Sequence, residues 1–136
     1  MGSWVIINSD TMLANDTMYA ALPVSDMQQA KEFYGKTLGL NIVDQNEGGV
    51  WYQTGTSRIS LYYSEFAGTN KATVAIWEVG APKSAVKALQ ERGVTFEKYD
   101  DLPGAKRRGF IHSFPAYDAA WFKDPFGNLI CISHHL

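Results

Sequence analysis

The sequence predicts an α+β fold of two paired β-α-β-β-β modules, with curved, cupped mixed sheets and helices on the outer face. The first observation is a strand, a helix that ends at a glycine and further strands in residues 18–63. The second is the return of this order in residues 73–133. The third is that Val24–Gly39 and Val79–Gly93 have nearly equal lengths, which indicates an internal duplication. Each module is too small to bury both faces of its sheet, so the two modules should lie side by side around a shared concave surface.

A hairpin is predicted in residues 119–132. Asp124, Pro125 and Gly127 occupy the first, second and fourth positions that a type I turn favours. Side chains alternate along the outgoing strand, so Ile130 and Ile132 should face the core. The opposite face, where a ligand could be met, carries Leu129, Cys131 and Ser133.

Composition limits the class of protein. The chain has 136 residues, 46% of them hydrophobic, which is enough for one core. A net charge of −2, with acidic and basic residues interspersed, predicts neither a nucleic-acid partner nor a membrane partner. The single cysteine, Cys131, excludes an intrachain disulfide and predicts a reducing, cytoplasmic location. The segment Val5–Ile7 is too short to span a membrane.

The predicted organisation is an N-terminal arm, residues 1–16, and one domain, residues 17–134. Module one covers residues 17–66 and module two residues 70–134. In module one, Asp26 caps a helix that ends at Gly39, and the predicted strands are 18–24, 40–43, 50–53 and 58–63. In module two, a helix begins at Pro82 and ends at Gly93, and the predicted strands are 73–79, 94–99, 110–114, 119–122 and 129–133.

Several motifs together resemble the vicinal oxygen chelate superfamily, which includes glyoxalase I, extradiol dioxygenases, fosfomycin-resistance enzymes and bleomycin-resistance proteins. The motifs are Val24-Ser25-Asp26, Phe33-Tyr34, Leu38-Gly39-Leu40, Trp77-Glu78-Val79, Gly93-Val94-Thr95-Phe96 and Ala120 to Asn128. The resemblance covers residues 17–134 and is most similar to glyoxalase-like proteins of unassigned activity. It implies a homodimer with pockets enclosed by the curved sheets.

The metal ligands of glyoxalases align with Tyr19, Ser60, Val74 and Cys131 in this sequence. A divalent metal needs three or four converging His, Asp, Glu or Cys side chains, and this set does not supply them. A shift of one residue along each strand gives no better set. The resemblance therefore implies the family fold, whereas these residues predict neither a metal ion nor another cofactor.

The inward positions of the family predict an aromatic and apolar cavity. The predicted ligand-binding residues are Tyr19, Trp51, Ser60, Tyr62, Val74, Ile76, Glu78, Phe110, Trp121 and Cys131. Such a lining favours a small amphipathic or aromatic compound held by stacking and a few hydrogen bonds. The predicted function is metal-independent binding of that compound, either to sequester an antibiotic or toxin or to bind a metabolite.

Two other classes of function stay open. One is a lyase or isomerase in which Glu78, Tyr19 or His112 moves a proton. The other is a structural or regulatory interaction module. Simpler roles also stay open: a solvated Glu78, a hydrogen-bonded surface or loop His112, and a buried, unreactive Cys131.

Two charged or titratable runs have alternative interpretations. The run Lys106–Arg108, in a predicted loop, either clamps an anionic group or is solvated. The pair His134 and His135 is interpreted as a solvated tail, because it lacks the spacing of a metal site.

Overall fold

A computed structural model describes residues 12–136. Module one has four strands and one helix. Its strands are β1 (Ala20–Val24), β2 (Asn41–Asn46), β3 (Gly49–Thr54) and β4 (Ser57–Tyr63). They form one sheet in the order β1-β4-β3-β2, in which β1 and β4 are parallel and the other pairs are antiparallel.

Module two repeats this plan with one more strand. Its strands are β5 (Thr73–Glu78), β6 (Lys106–Arg108), β7 (Ile111–Ser113), β8 (Tyr117–Lys123) and β9 (Leu129–His135). The sheet order is β5-β9-β8-β7-β6, again with one parallel pair, β5 and β9. The predicted α+β fold of two mixed, open sheets is confirmed.

The helices cover one face of each sheet. Helix α1 (Met27–Lys31) continues into a π-helix (Glu32–Thr37), and α2 (Pro82–Glu91) follows β5. The buried core lies between helices and sheets and includes Leu22, Tyr34, Tyr52, Leu61, Val86, Phe122, Ile130 and Ile132. The predicted assignment of Ile130 and Ile132 to the core is confirmed.

The first helix begins and ends where the sequence predicts, but its second half is not α-helical. The Asp26 carboxylate accepts a hydrogen bond from Gln29 N at 3.0 Å, and Gly39 adopts a φ of 77°. Between them, Leu38 N donates to Phe33 O at 2.8 Å, which is the i to i+5 bond of a π-helix.

The hairpin turn between β8 and β9 is the centre of a buried polar network. Gly127 N donates to Asp124 O at 3.1 Å, so the predicted turn is confirmed. The Asp124 carboxylate is 4% exposed and accepts from the Tyr34 hydroxyl at 2.7 Å and from Asn128 Nδ2 at 2.8 Å. Burial raises the pKa of Tyr34 far above its usual range, and the nearby Asp124 carboxylate raises it further. This network joins the helix of module one to the hairpin of module two.

Three predictions in module two are wrong. Residues 94–99 form a single bridge, between Phe96 and Phe122, rather than a strand. In a strand, the Tyr99 amide would donate to a carbonyl of a neighbouring strand. Here it donates to the side chain of His112, at Nε2, over 2.9 Å. Residues 106–108 are strand β6 rather than a loop, because they pair with β7.

The third concerns His134 and His135, which end a strand rather than form a tail, although the His135 side chain is 75% exposed. Both lie in β9, and their Nδ1 atoms are 2.8 Å from Val79 O and from Glu78 Oε1. These contacts fasten the end of β9 to the end of β5.

The predicted arm, residues 1–16, falls mostly outside the described residues. Met12–Asn15 form a short 3-10 helix, and the boundary at residue 16 stays a prediction. None of the helices formed by residues 12–136 is long and apolar enough to cross a membrane.

Tyr52→Phe is expected to leave the stability unchanged or to raise it by up to about 1 kcal/mol. Within residues 12–136, Tyr52 Oη is the one buried side-chain polar atom without a hydrogen-bond partner. Removing an unsatisfied buried hydroxyl removes its desolvation cost. Urea denaturation measures the effect. A loss of more than about 1 kcal/mol would show that the hydroxyl has a partner in solution, such as a buried water molecule.

Candidate functional site

The faces of the two sheets opposite the helices carry most of the predicted ligand-binding residues. In module one, Ser60 lies between Ala21 and Trp51 in register. In module two, Cys131 lies between Ile76 and Trp121. Directly paired residues point to the same side of a sheet, so these six residues share the faces that the helices leave uncovered.

A cleft of about 440 Å³ lies where the two modules meet, between β1, the β3–β4 turn and β5. Three predicted residues line it: Tyr19, Ile76 and Glu78. Tyr19 is 39% exposed and Ile76 is 65% exposed, so both present ring or methyl surface to the space. The volume lies within the range of pockets that hold small organic ligands.

Hydrogen bonds fix the aromatic side chains of this face. Trp51 Nε1 donates to the Tyr19 hydroxyl at 2.9 Å, which ties β3 to the residue before β1. The Arg58 guanidinium lies 5.9 Å from the centre of the Tyr19 ring, a cation–π distance. These contacts hold the Tyr19 ring in the wall of the cleft, with a cation beside it.

Glu78 is the predicted carboxylate of the cleft, and its surroundings hold it ionised. It accepts hydrogen bonds from His135 N at 3.1 Å and pairs with His135 Nδ1 at 2.8 Å. Partial desolvation opposes ionisation, but the His135 hydrogen bonds outweigh it and lower the pKa of Glu78. A carboxyl group with a lowered pKa is a weaker base, so Glu78 is better suited to be a hydrogen-bond acceptor or counter-ion than to abstract protons.

His112, a predicted acid–base candidate, is fully buried in β7, which contradicts the expectation of a surface or loop histidine. Its Nε2 accepts from Tyr99 N at 2.9 Å, and its Nδ1 lies 3.1 Å from Phe110 O. The amide must donate, so Nε2 carries no proton and Nδ1 donates to the carbonyl. Its ring also packs edge-on against Trp121, with centroids 5.1 Å apart. Both nitrogens are therefore engaged, and the side chain links the segment at Tyr99 to the residue before β7.

Cys131 is buried, and desolvation raises the pKa of its thiol to about 11. We expect the folded protein to react with dithionitrobenzoate at mildly alkaline pH far more slowly than the protein unfolded in guanidinium chloride, because a thiolate is the reactive form. The measurement is the absorbance of the released thiolate over time. Equal rates in the folded and unfolded protein would contradict the buried position.

Two of the predicted ligand-binding residues lie elsewhere. Val74 packs against the helix-side core, because a register shift between Thr73 and Ala75 breaks the alternation along β5. Phe110 also packs on that core, with its ring 6.1 Å from that of Phe96.

Tyr62 and Trp121 lie on the uncovered faces but beside the cleft. Tyr62 pairs with Pro23 in register, at the far end of β4. Trp121 lines a smaller cavity of about 260 Å³ with Tyr99, and its Nε1 donates to Thr73 Oγ1 at 3.1 Å. These two residues extend the aromatic surface beyond the cleft itself.

Sequence reasoning missed Arg58 and the β3–β4 turn as parts of the cleft. Arg58 was detectable, because alternation along β4 places it on the same face as Ser60 and Tyr62. Residues 54–57, which are the turn and the two strand ends beside it, carry no comparable signal, since their place in the cleft depends on how the modules pack.

The donor set of the family's metal site does not fit a metal ion. Tyr19, Ser60, Val74 and Cys131 offer a phenol, a hydroxyl, an isopropyl group and a thiol whose pKa is raised. Among the residues that the structure describes, no three His, Cys, Asp or Glu side chains lie close enough to hold a metal ion.

A family model described as the Glyoxalase/Bleomycin resistance protein/Dioxygenase superfamily matches residues 17–132. The chain therefore belongs to this superfamily, as its motifs predict. A search of curated proteins finds no match.

Solved structures show the same fold. A glyoxalase/bleomycin resistance protein/dioxygenase from Alicyclobacillus acidocaldarius is 19% identical, with a TM-score of 0.65 over 90% of this chain and 92% of that chain. TnmS3, an antibiotic binding protein from Streptomyces sp. CB03234, is 23% identical and has a TM-score of 0.62. The match covers 92% of this chain and 99% of that chain. Lactoylglutathione lyase from Agrobacterium tumefaciens is 17% identical and has a TM-score of 0.62. The match covers 88% of this chain and 93% of that chain.

Proposed function

We propose that the protein binds a small amphipathic or aromatic compound, without a metal ion, in the cleft between its two modules. The observation that carries this proposal is the cleft of about 440 Å³ with exposed Tyr19 and Ile76 in its wall. An exposed aromatic ring and an exposed aliphatic side chain in one concavity favour stacking and apolar contact with a ligand.

The charges of the cleft give the ligand its polar contacts. Arg58 lies on the module-one side and Glu78 on the module-two side. A compound with an apolar body and polar ends can then contact Tyr19 and Ile76 through the body and Arg58 or Glu78 through the ends. This arrangement needs no metal ion to orient the ligand, which agrees with the donor set at the family's metal positions.

The biological role in this proposal is sequestration of an antibiotic or toxin, or binding of a metabolite, by a homodimer in the cytoplasm. A protein of the same fold, TnmS3, is described as an antibiotic binding protein, which supports a binding role on this fold. A reducing compartment agrees with the single, buried Cys131.

The experiment uses the uncharged aromatic probe N-phenylnaphthylamine, whose fluorescence rises when it enters an apolar site. We expect saturable binding to the wild type and an affinity at least about tenfold lower for Tyr19→Ala and for Ile76→Asp. Tyr63→Ala is the matched control, since Tyr63 is 68% exposed and follows Tyr62 on β4 with its side chain on the opposite face. Binding that is unchanged in Tyr19→Ala and Ile76→Asp would overturn the proposal.

A further inference from the structure

A second cavity, of about 680 Å³, lies between α2 and the β6–β7 hairpin of module two. No residue lines both this cavity and the cleft between the modules. It is on the helix side of the sheet, so a ligand bound here would not compete for the concave face.

The floor of this cavity is apolar. Val86, 6% exposed, and Phe110 come from the two walls and belong to the core cluster or pack against it, as does Ile111 at the start of β7. Phe110 and Ile111 are partly exposed, so an aromatic or aliphatic ligand in the cavity can contact them.

The rim carries an excess of positive charge. Lys83 and Lys87 on α2 and Arg108 on β6 line it, against one carboxylate, that of Asp118. In the described part of the chain, residues 12–136, these three cations form no salt bridge. The neighbouring Arg107, by contrast, is neutralised by Asp100 at 2.7 Å.

The two lysines repel each other. They are four residues apart on α2 and therefore lie on the same face of the helix, where like charges are destabilising. The first turn of α2 contains no acidic residue that would offset them. An anion between α2 and β6 would relieve this repulsion and would also meet Arg108 from the other wall.

We propose that this cavity binds a small, free amphipathic carboxylate, whose aliphatic or aromatic body lies on the apolar floor. Its carboxylate group then meets Lys83, Lys87 and Arg108 at the rim. Charge complementarity selects this occupant, because a neutral compound would leave the three cations unpaired. Within the basic run Lys106–Arg108, Arg108 therefore contacts the ligand, whereas Arg107 forms the ion pair with Asp100.

The test is isothermal titration of the full chain with decanoate, below its micelle concentration, and with decanol as the uncharged match. We expect decanoate to bind more tightly than decanol and to bind more weakly as the salt concentration rises. Lys87→Glu and Arg108→Glu should each raise the Kd for decanoate at least about tenfold.

Two control variants make the outcome specific. Lys36→Glu makes the same change of charge at an exposed lysine of module one, and it should leave the decanoate affinity unchanged. Decanoate binding in Tyr19→Ala that keeps its dependence on Lys87 and Arg108 separates this site from the cleft, which has Arg58 and an apolar wall of its own. All of these are surface substitutions away from the buried core, so folding is expected to persist.

Three results would overturn the proposal. They are no decanoate binding to the wild type, equal decanoate affinity in the wild type and the charge variants, and equal affinity for decanoate and decanol. A second copy of the chain is the alternative occupant, and sedimentation velocity tests it. A dimer that is lost in Lys87→Glu, together with no decanoate binding to the wild type, would assign the cavity to that second copy.

Discussion

Asp124→Ala is expected to lower the free energy of unfolding by about 3–5 kcal/mol. The carboxylate is 4% exposed and accepts from Tyr34 Oη, Asn128 Nδ2 and the amides of Phe126 and Asn128. Truncation leaves all of these donors without their acceptor in a site that water does not reach. Chemical denaturation monitored by tryptophan fluorescence measures the loss.

Two matched variants separate the contributions of individual hydrogen bonds in this network to stability. Asp124→Asn keeps one carbonyl oxygen and should cost less than Asp124→Ala, whereas Tyr34→Phe removes one hydrogen bond and should cost about 1–2 kcal/mol. A loss below about 1 kcal/mol for Asp124→Ala would contradict the assigned role of this network in joining the two modules.

Phe122→Ala is expected to cost about 3–5 kcal/mol, because it removes a fully buried ring and leaves a cavity. Phe122 contacts Phe96 with ring centroids 5.5 Å apart and Phe33 with centroids 6.4 Å apart. Phe122, on β8, therefore packs against both the helix of module one and the segment after α2. The free energy of unfolding in guanidinium chloride measures the effect.

Phe66→Ala is the control for this prediction. Phe66 is 66% exposed in the segment between β4 and β5, so its removal should change stability by less than about 0.5 kcal/mol. Similar losses for Phe66→Ala and Phe122→Ala would contradict the described core.

The fold was predictable where local chemistry and periodicity agree. The Asp26 cap, the stop at Gly39 and the turn at Asp124 each depend on residues close together in sequence, and the structure contains all three. The missing strand at residues 94–99 was not predictable in this way. There the Tyr99 amide donates to the side chain of His112, a residue of β7, and no local sequence pattern signals this contact.

The site was predictable to the extent that the strands keep strict alternation. Tyr19 and Ile76 line the cleft as alternation places them, whereas the register shift after Thr73 turns Val74 to the core. Phe110 lies in a segment without a long periodic run, so its face could not be read from the sequence. The contribution of the β3–β4 turn depends on the packing of one module against the other.

The role of Glu78 can be tested separately from binding. Its lowered pKa and its contacts with His135 favour a fixed, ionised carboxylate over a proton-transfer group. Retained binding of N-phenylnaphthylamine by Glu78→Gln, without any chemical change to the probe, supports the binding role. A chemical change in a bound compound that is lost in Glu78→Gln would support the lyase or isomerase alternative instead.

Probe binding by protein dialysed against a chelator tests the central claim most directly. Wild-type protein and Tyr19→Ala are treated with EDTA, and N-phenylnaphthylamine binding and the Tm are then measured with and without added divalent ions. We predict that the wild type keeps its affinity for the probe after the treatment, that Tyr19→Ala binds the probe at least about tenfold more weakly, and that no ion raises the Tm at stoichiometric concentration. Loss of probe binding in EDTA, restored by one equivalent of a divalent ion together with a higher Tm, would contradict metal-independent binding.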